Sequence, residues 1–165
     1  MSDLAKTAQL QIRVSAHEKA AIQRAAARAG MDMSAYVLAK VLPHSASEFQ
    51  NRVRDCAGSA SPRFGLAELN SLLATLTAGE LRDAIAAPLP SDLTPFLANY
   101  IAAMAEYACA KRGIAIPAWT RSISPLADPF FGSELRSLRH YLLTHSPAPF
   151  RSRNIFIDST VGDRI

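Results

Sequence analysis

Long apolar runs are missing from this 165-residue chain. Its most apolar stretch, Phe96 to Ala110, is interrupted by Asn99 and Glu106 and is too short to span a bilayer, so no membrane partner is expected. No charged-then-apolar leader with a small-residue cleavage site opens the chain, and secretion is not expected. Cysteine is scarce. Cys56 and Cys109 fit no metal-ligand spacing and read as reduced thiols of a cytoplasmic protein. Phosphate-cradling glycine loops, dinucleotide fingerprints, nucleophile elbows and paired Cys-x-x-Cys motifs are absent too. Of the four histidines, His17, His44, His140 and His145, the last two are five residues apart, so one helical face cannot present both to a metal. Neither an enzyme nor a metal or cofactor site is expected.

What is present is a globular composition: 49% hydrophobic, 19% charged, with a mean hydropathy of +0.06. The length suits one ordinary domain, or a small module with a modest second one. A net charge of +4 and a pI of about 9.4 permit an acidic partner. The surplus sits at the ends. Residues 1–45 carry six Lys/Arg against three Asp/Glu, residues 46–114 six against seven, and residues 115–165 six against four.

From Gln9 to Ser15 apolar and polar residues alternate, with Leu10, Ile12 and Val14 on one side and Gln9, Gln11, Arg13 and Ser15 on the other, which predicts a strand. Ser15 and Glu18 form an S-x-x-E capping box ahead of an alanine-rich helix. Ile22, Ala25, Ala26 and Ala29 make its apolar stripe, and Gly30 is placed to end it. A second helix is expected at once, capped by Asp32, with Met33, Tyr36, Val37 and Val41 apolar and Pro43 as its stop. A lone strand of this length needs a partner: a second copy of the chain, or the Asn154–Asp158 segment of the same chain. The first is the expectation, because the strand runs directly into the helix.

The segment Leu10-Gln11-Ile12-Arg13-Val14-Ser15, the following helix, Gly30-Met31-Asp32-Met33-Ser34 and Tyr36-Val37 resemble a ribbon-helix-helix DNA-binding domain of the kind found in bacterial antitoxins. The resemblance covers about residues 8–42, with Ala35 where the family often has an acidic residue. It implies an intertwined dimer whose ribbon enters the major groove. Gln9, Gln11 and Arg13 would then touch base edges, Gln pairing with adenine and Arg with guanine. Backbone N–H groups at Met33 and Ser34 would hold a phosphate, with Lys6 and Lys40 adding charge. Without the resemblance, the same strand residues would be only the solvated face of an amphipathic strand.

Beyond Pro43 the pattern is that of a small helical domain. Helices are expected at Ser47–Ala57, with Phe49, Val53 and Cys56 on one face, and at Leu66–Leu76, with Leu66, Leu69, Leu72, Leu73 and Leu76 together. Thr77 and Glu80 form a second capping box, and Asp92 is the expected cap of a longer helix that runs through Lys111 to Gly113. A further helix is expected from Glu134 to Thr144, capped by Ser133. The last fifty residues are punctuated by proline and aromatics. Trp119, Phe130, Phe131, Phe150, Arg151 and Arg153 are either core or anchors for a partner. Pro117-Ala118-Trp119, Leu135-Arg136-x-Leu138-Arg139, Ser146-Pro147-x-x-Phe150 and Arg153-Asn154-Ile155-Phe156-Ile157-Asp158 resemble a C-terminal module of bacterial regulators encoded beside nucleotidyltransferase-like toxins.

The fold class expected is therefore mainly α, with an N-terminal ribbon-helix-helix over residues 1–43 and a helical partner-binding domain over 44–165. The function implied is that of a cytoplasmic antitoxin, a homodimer or higher even-numbered oligomer. It would repress its own operon by binding double-stranded operator DNA and neutralise a cognate toxin, nucleotidyltransferase-like or else an acetyltransferase. A repressor without a toxin and a plasmid-partition protein are the alternatives.

Overall fold

A computed structural model describes residues 11–41, 44–59 and 61–158. The chain divides into two compact units, Met1–Leu42 and Pro43–Ile165. The described residues contain eight α-helices, one 3-10 helix (Ala118–Ser122) and two very short strands.

In the N-terminal unit, α1 spans Ala16–Arg28 and α2 spans Met33–Val41, and the two pack against each other. Both halves of the Ser15–Glu18 capping box are formed, so two of the backbone donors that a helix start leaves over are satisfied. At the other end Gly30 is left-handed at φ +66°. Its N–H donates to Ala27 O and that of Met31 to Ala26 O, a turn in which a side chain at Gly30 would be strained.

The expected N-terminal strand is not found. Residues 11–15 form no strand, while Gln9 and Leu10 lie outside the described residues. The strand-helix-helix arrangement, and with it the intertwining of two copies through a shared ribbon, is therefore corrected to two helices preceded by an exposed irregular segment at residues 11–15. The physical reason is that a strand needs a hydrogen-bonded neighbour. The one candidate within the chain, around Ile155, is already paired elsewhere.

In the C-terminal unit, α3 (His44–Gly58) packs on α4 (Pro62–Thr75) and α5 (Ala78–Ala84), and α3 and α4 pack on one side of α6 (Pro95–Arg112). Helix α6 buries Leu97, Asn99, Ile101 to Ala105, Ala108 and Cys109, residues on every side of it, which makes it the central rod of the core. Its cap is Thr94, whose Oγ1 accepts from Leu97 N–H, and not Asp92. Phe49, Val53 and Cys56 of α3 meet Leu66, Leu69 and Leu73 of α4 in the same core. Burial pushes the thiols of Cys56 and Cys109 above their ordinary pKa.

The remaining chain closes the other side. Strand β1 (Phe130–Phe131) pairs in parallel with β2 (Ile155–Phe156), Phe130 beside Ile155 and Phe131 beside Phe156. Helices α7 (Arg136–His145) and α8 (Ala148–Arg151) connect them. Helix α7 begins two residues later than its sequence suggests. Ser133 caps no helix; its Oγ accepts from Leu135 N–H in a local turn.

Candidate nucleic-acid interface

Helix α1 is alanine-rich and mostly exposed, and Ala26 is its one buried residue. At 100° per residue, Arg24 and Arg28 stand one turn apart on the face opposite Ala26, and both are exposed. Arg13, Lys19 and Lys40 are exposed as well, giving five described cations in this unit. Against them stand Glu18 and Asp32, and both carboxylates are committed to helix starts. Glu18 accepts from the Ser15 N–H and hydroxyl at 2.8 Å each, which holds its pKa below the usual carboxylate value. Asp32 Oδ1 accepts from Ala35 N–H at 3.0 Å at the start of α2. Both carboxylates keep their charge, but five cations against two leave the described part of the unit net basic, as a phosphate-contacting surface requires.

The residues expected to read or hold DNA are placed as follows. Gln11 and Arg13 are exposed in the segment before α1, and Gln9 and Lys6 lie outside the described residues. Met33 and Ser34 form the first turn of α2, where their N–H groups have no acceptor within the helix. The Asp32 carboxylate stands beside them, however, and opposes an anion at that spot. Lys40 is exposed in the last turn, its Nζ 5.8 Å from the centre of the Tyr36 ring. Arg24 and Arg28 were missed by motif reading, although their i, i+4 spacing on the polar face of α1 was the available signal.

The unit also carries much uncovered apolar surface. Ile12 is 58% exposed and Val41 65%, and Val14, Met31, Met33 and Leu38 are exposed with them, while α2 buries no residue. Two short helices with one buried alanine between them do not make a self-sufficient core.

The residues expected to anchor a partner fall into two groups. Phe150 is buried against Tyr100 and Tyr107, and Arg153 is buried at 5% exposure. Trp119 is half-buried, packs on the core and donates from Nε1 to Ile85 O at 2.8 Å. These three hold the C-terminal unit together. At the surface, Phe130 packs on Phe96, and Phe131 stacks on Phe156 with the Arg139 guanidinium 5.0 Å from its ring. Arg151 is exposed and donates to Thr144 O at 3.2 Å.

The tail residues Arg153 to Ile157 form one internal clamp. Arg153 donates to Glu106 at 2.6 Å, to Thr120 O at 2.8 Å and to Asn99 Oδ1 at 3.2 Å. Asn154, left-handed at φ +62°, donates from Nδ2 to Leu126 O at 3.1 Å. Ile157 O lies 2.8 Å from Ser146 Oγ. The Arg-Asn-Ile-Phe-Ile motif thus has a packing explanation that no spacing rule announces.

Among known proteins, a family model of NikA-like proteins, described as mobilization protein NikA, matches residues 5–56. The match takes in α1, α2 and most of α3, about a third of the chain. No curated protein and no solved structure matches the chain.

Proposed function

We propose that the chain is a double-stranded-DNA-binding protein that recognises a short site through its N-terminal unit and serves the mobilization of DNA. The observation that carries this reading is the similarity of residues 5–56 to a family of mobilization proteins. It is supported by the five exposed cations of that unit, which outnumber its two described carboxylates. Arg13 and Gln11 read bases, while Arg24, Arg28 and Lys40 hold phosphates. The unit works as a dimer. A second copy covers Ile12, Val14, Met33, Leu38 and Val41, which one chain leaves in water at a cost of about 25 cal/mol per Å² of apolar surface.

Titration of the full chain against labelled duplex from upstream of its own gene, beside a shuffled duplex, tests the reading. The expected result is tighter binding to the first, with affinity falling steeply as salt rises. Equal affinity for both duplexes at every salt concentration would overturn site recognition.

A second reading keeps the DNA-binding unit and makes the chain an antitoxin. It is supported by the resemblance of residues 115–160 to modules found beside nucleotidyltransferase-like toxins. Expressing the product of the adjacent gene alone and with this chain separates the two. Toxicity relieved by this chain favours the antitoxin; a harmless neighbour favours mobilization.

A further inference from the structure

Of the ten residues in α7 only Leu142 is buried. Arg136, Arg139, His140 and Leu143 recur at i, i+3, i+4 and i+7, so they share one face, and all four are exposed, Leu143 at 44%. From Leu135 to Ile157 the sequence contains no aspartate or glutamate. Arginine is enriched in protein interfaces and lysine, glutamate and aspartate are depleted there, and this face carries two arginines and none of the other three.

The opposite charge is present in the same unit. Helices α3 and α5 frame a shallow concavity lined by His44, Ser45, Glu48, Leu76, Glu80 and Asp83. That is three carboxylates around a half-buried leucine, with no lysine or arginine in the lining, and with His44 Nδ1 3.5 Å from Glu48 Oε2. Hydrogen bonds from Thr77 hold the Glu80 carboxyl below its ordinary pKa, which favours its charged form. Helix α7 packs on β2, whereas α3 packs on α4, α5 and α6.

We propose that the basic face of α7 docks in the α3–α5 concavity of a second copy of this chain. Leu143 lies against Leu76, and Arg136 and Arg139 lie on the carboxylates of Glu48 and Asp83. The two surfaces differ, so the contact is heterologous and adds molecules head to tail. Copies bound at neighbouring DNA sites would be joined by it. The contact involves only the C-terminal unit and does not rest on the DNA-binding reading.

Sedimentation velocity on the full chain tests the proposal, using two charge-reversed variants, Arg136→Glu/Arg139→Glu and Glu48→Lys/Asp83→Lys. Far-UV circular dichroism and a melting curve check that each is folded. In about 50 mM salt the wild type is expected to show a weight-average mass at least about twofold above its value in about 500 mM salt, because the contact is ionic and screened. Each variant alone should stay at the high-salt value even in low salt. A 1:1 mixture of the two should recover the larger species, since every reversed face then meets an opposite charge. A wild-type mass independent of salt, or a mixture that stays small, overturns the proposal. So does an Arg136→Glu/Arg139→Glu variant that assembles normally but loses affinity for duplex DNA, which would assign the face to nucleic acid.

Discussion

Arg153 and Glu106 meet at 2.6 Å inside the C-terminal unit, with side chains 6% and 12% exposed. The guanidinium also reaches Asn99 and Thr120, so one tail residue ties the central helix α6 to the 3-10 turn Ala118–Ser122. Replacing Arg153 by Met leaves the Glu106 carboxylate buried and unpaired, which is expected to cost about 3–5 kcal/mol in urea denaturation. The double variant Arg153→Met/Glu106→Gln should be more stable than Arg153→Met alone, because the uncompensated charge is gone. A double variant less stable than the single would show that the pair is not the dominant contact.

Gly65 in α4 lies directly against Cys56 in α3. A methyl group at Gly65 would lie 2.7 Å from Cys56 Sγ, which is fully buried. Gly65→Ala is expected to destabilise the chain by about 1–3 kcal/mol through overpacking. In a Cys56→Ala background the same change should become neutral, or stabilising by up to about 1 kcal/mol from helix propensity alone. The double-mutant cycle measured by thermal or urea unfolding reads that coupling, and additivity within about 0.5 kcal/mol would refute it.

Thr77 donates to Glu80 from its backbone N–H at 2.9 Å and from its hydroxyl at 2.7 Å, and the carboxyl pKa is lowered as a result. A lowered folded-state pKa contributes stability that is present above the unfolded value and is lost as pH falls through the folded one. Thr77→Ala should therefore raise the Glu80 titration midpoint in a carbon-detected NMR titration. It should also narrow the stability difference between neutral and acid pH. An unchanged midpoint would mean that the bonds do not persist in solution.

The DNA contacts divide by chemistry. Arg13→Ala is expected to cost about 1–3 kcal/mol on the recognised duplex and much less on a shuffled one. Replacing Arg24 and Arg28 together by Ala should weaken both duplexes alike and flatten the salt dependence of binding by roughly two phosphate contacts. Fluorescence anisotropy across a salt series separates the two behaviours. A uniform loss for Arg13→Ala would remove it from base reading.

Much of the helical architecture was legible because its signals are local. Ser15–Glu18 and Thr77–Glu80 act within three residues of sequence, and both boxes formed. Gly30 and Gly113 end their helices with left-handed backbone, the conformation that glycine tolerates best. Leu66, Leu69 and Leu73 are buried as their spacing implies. Alternation from Gln9 to Ser15 misled because it reports which side chains could share a face, not whether a neighbouring backbone is there to accept hydrogen bonds. In the candidate site, Gln11, Arg13 and Lys40 were visible as exposed polar residues, whereas Arg24 and Arg28 were hidden in an alanine-rich helix that advertises packing.

The sequence by itself determined the helix starts at Ser15 and Thr77, the helix ends at Gly30 and Gly113, the inward faces of α3 and α4, and that positive charge gathers toward the two ends of the chain. Those properties depend on residues within a turn or two of one another. Only the tertiary structure decided that Phe150, Trp119 and Arg153 belong to the core while Arg136, Arg139 and Leu143 stay outside. Arg153 finds Glu106 across 47 residues and Trp119 finds Ile85 across 34. Aromatic and arginine side chains suit a core or an interface equally well, and the choice is made by which distant partner the folded chain brings within reach.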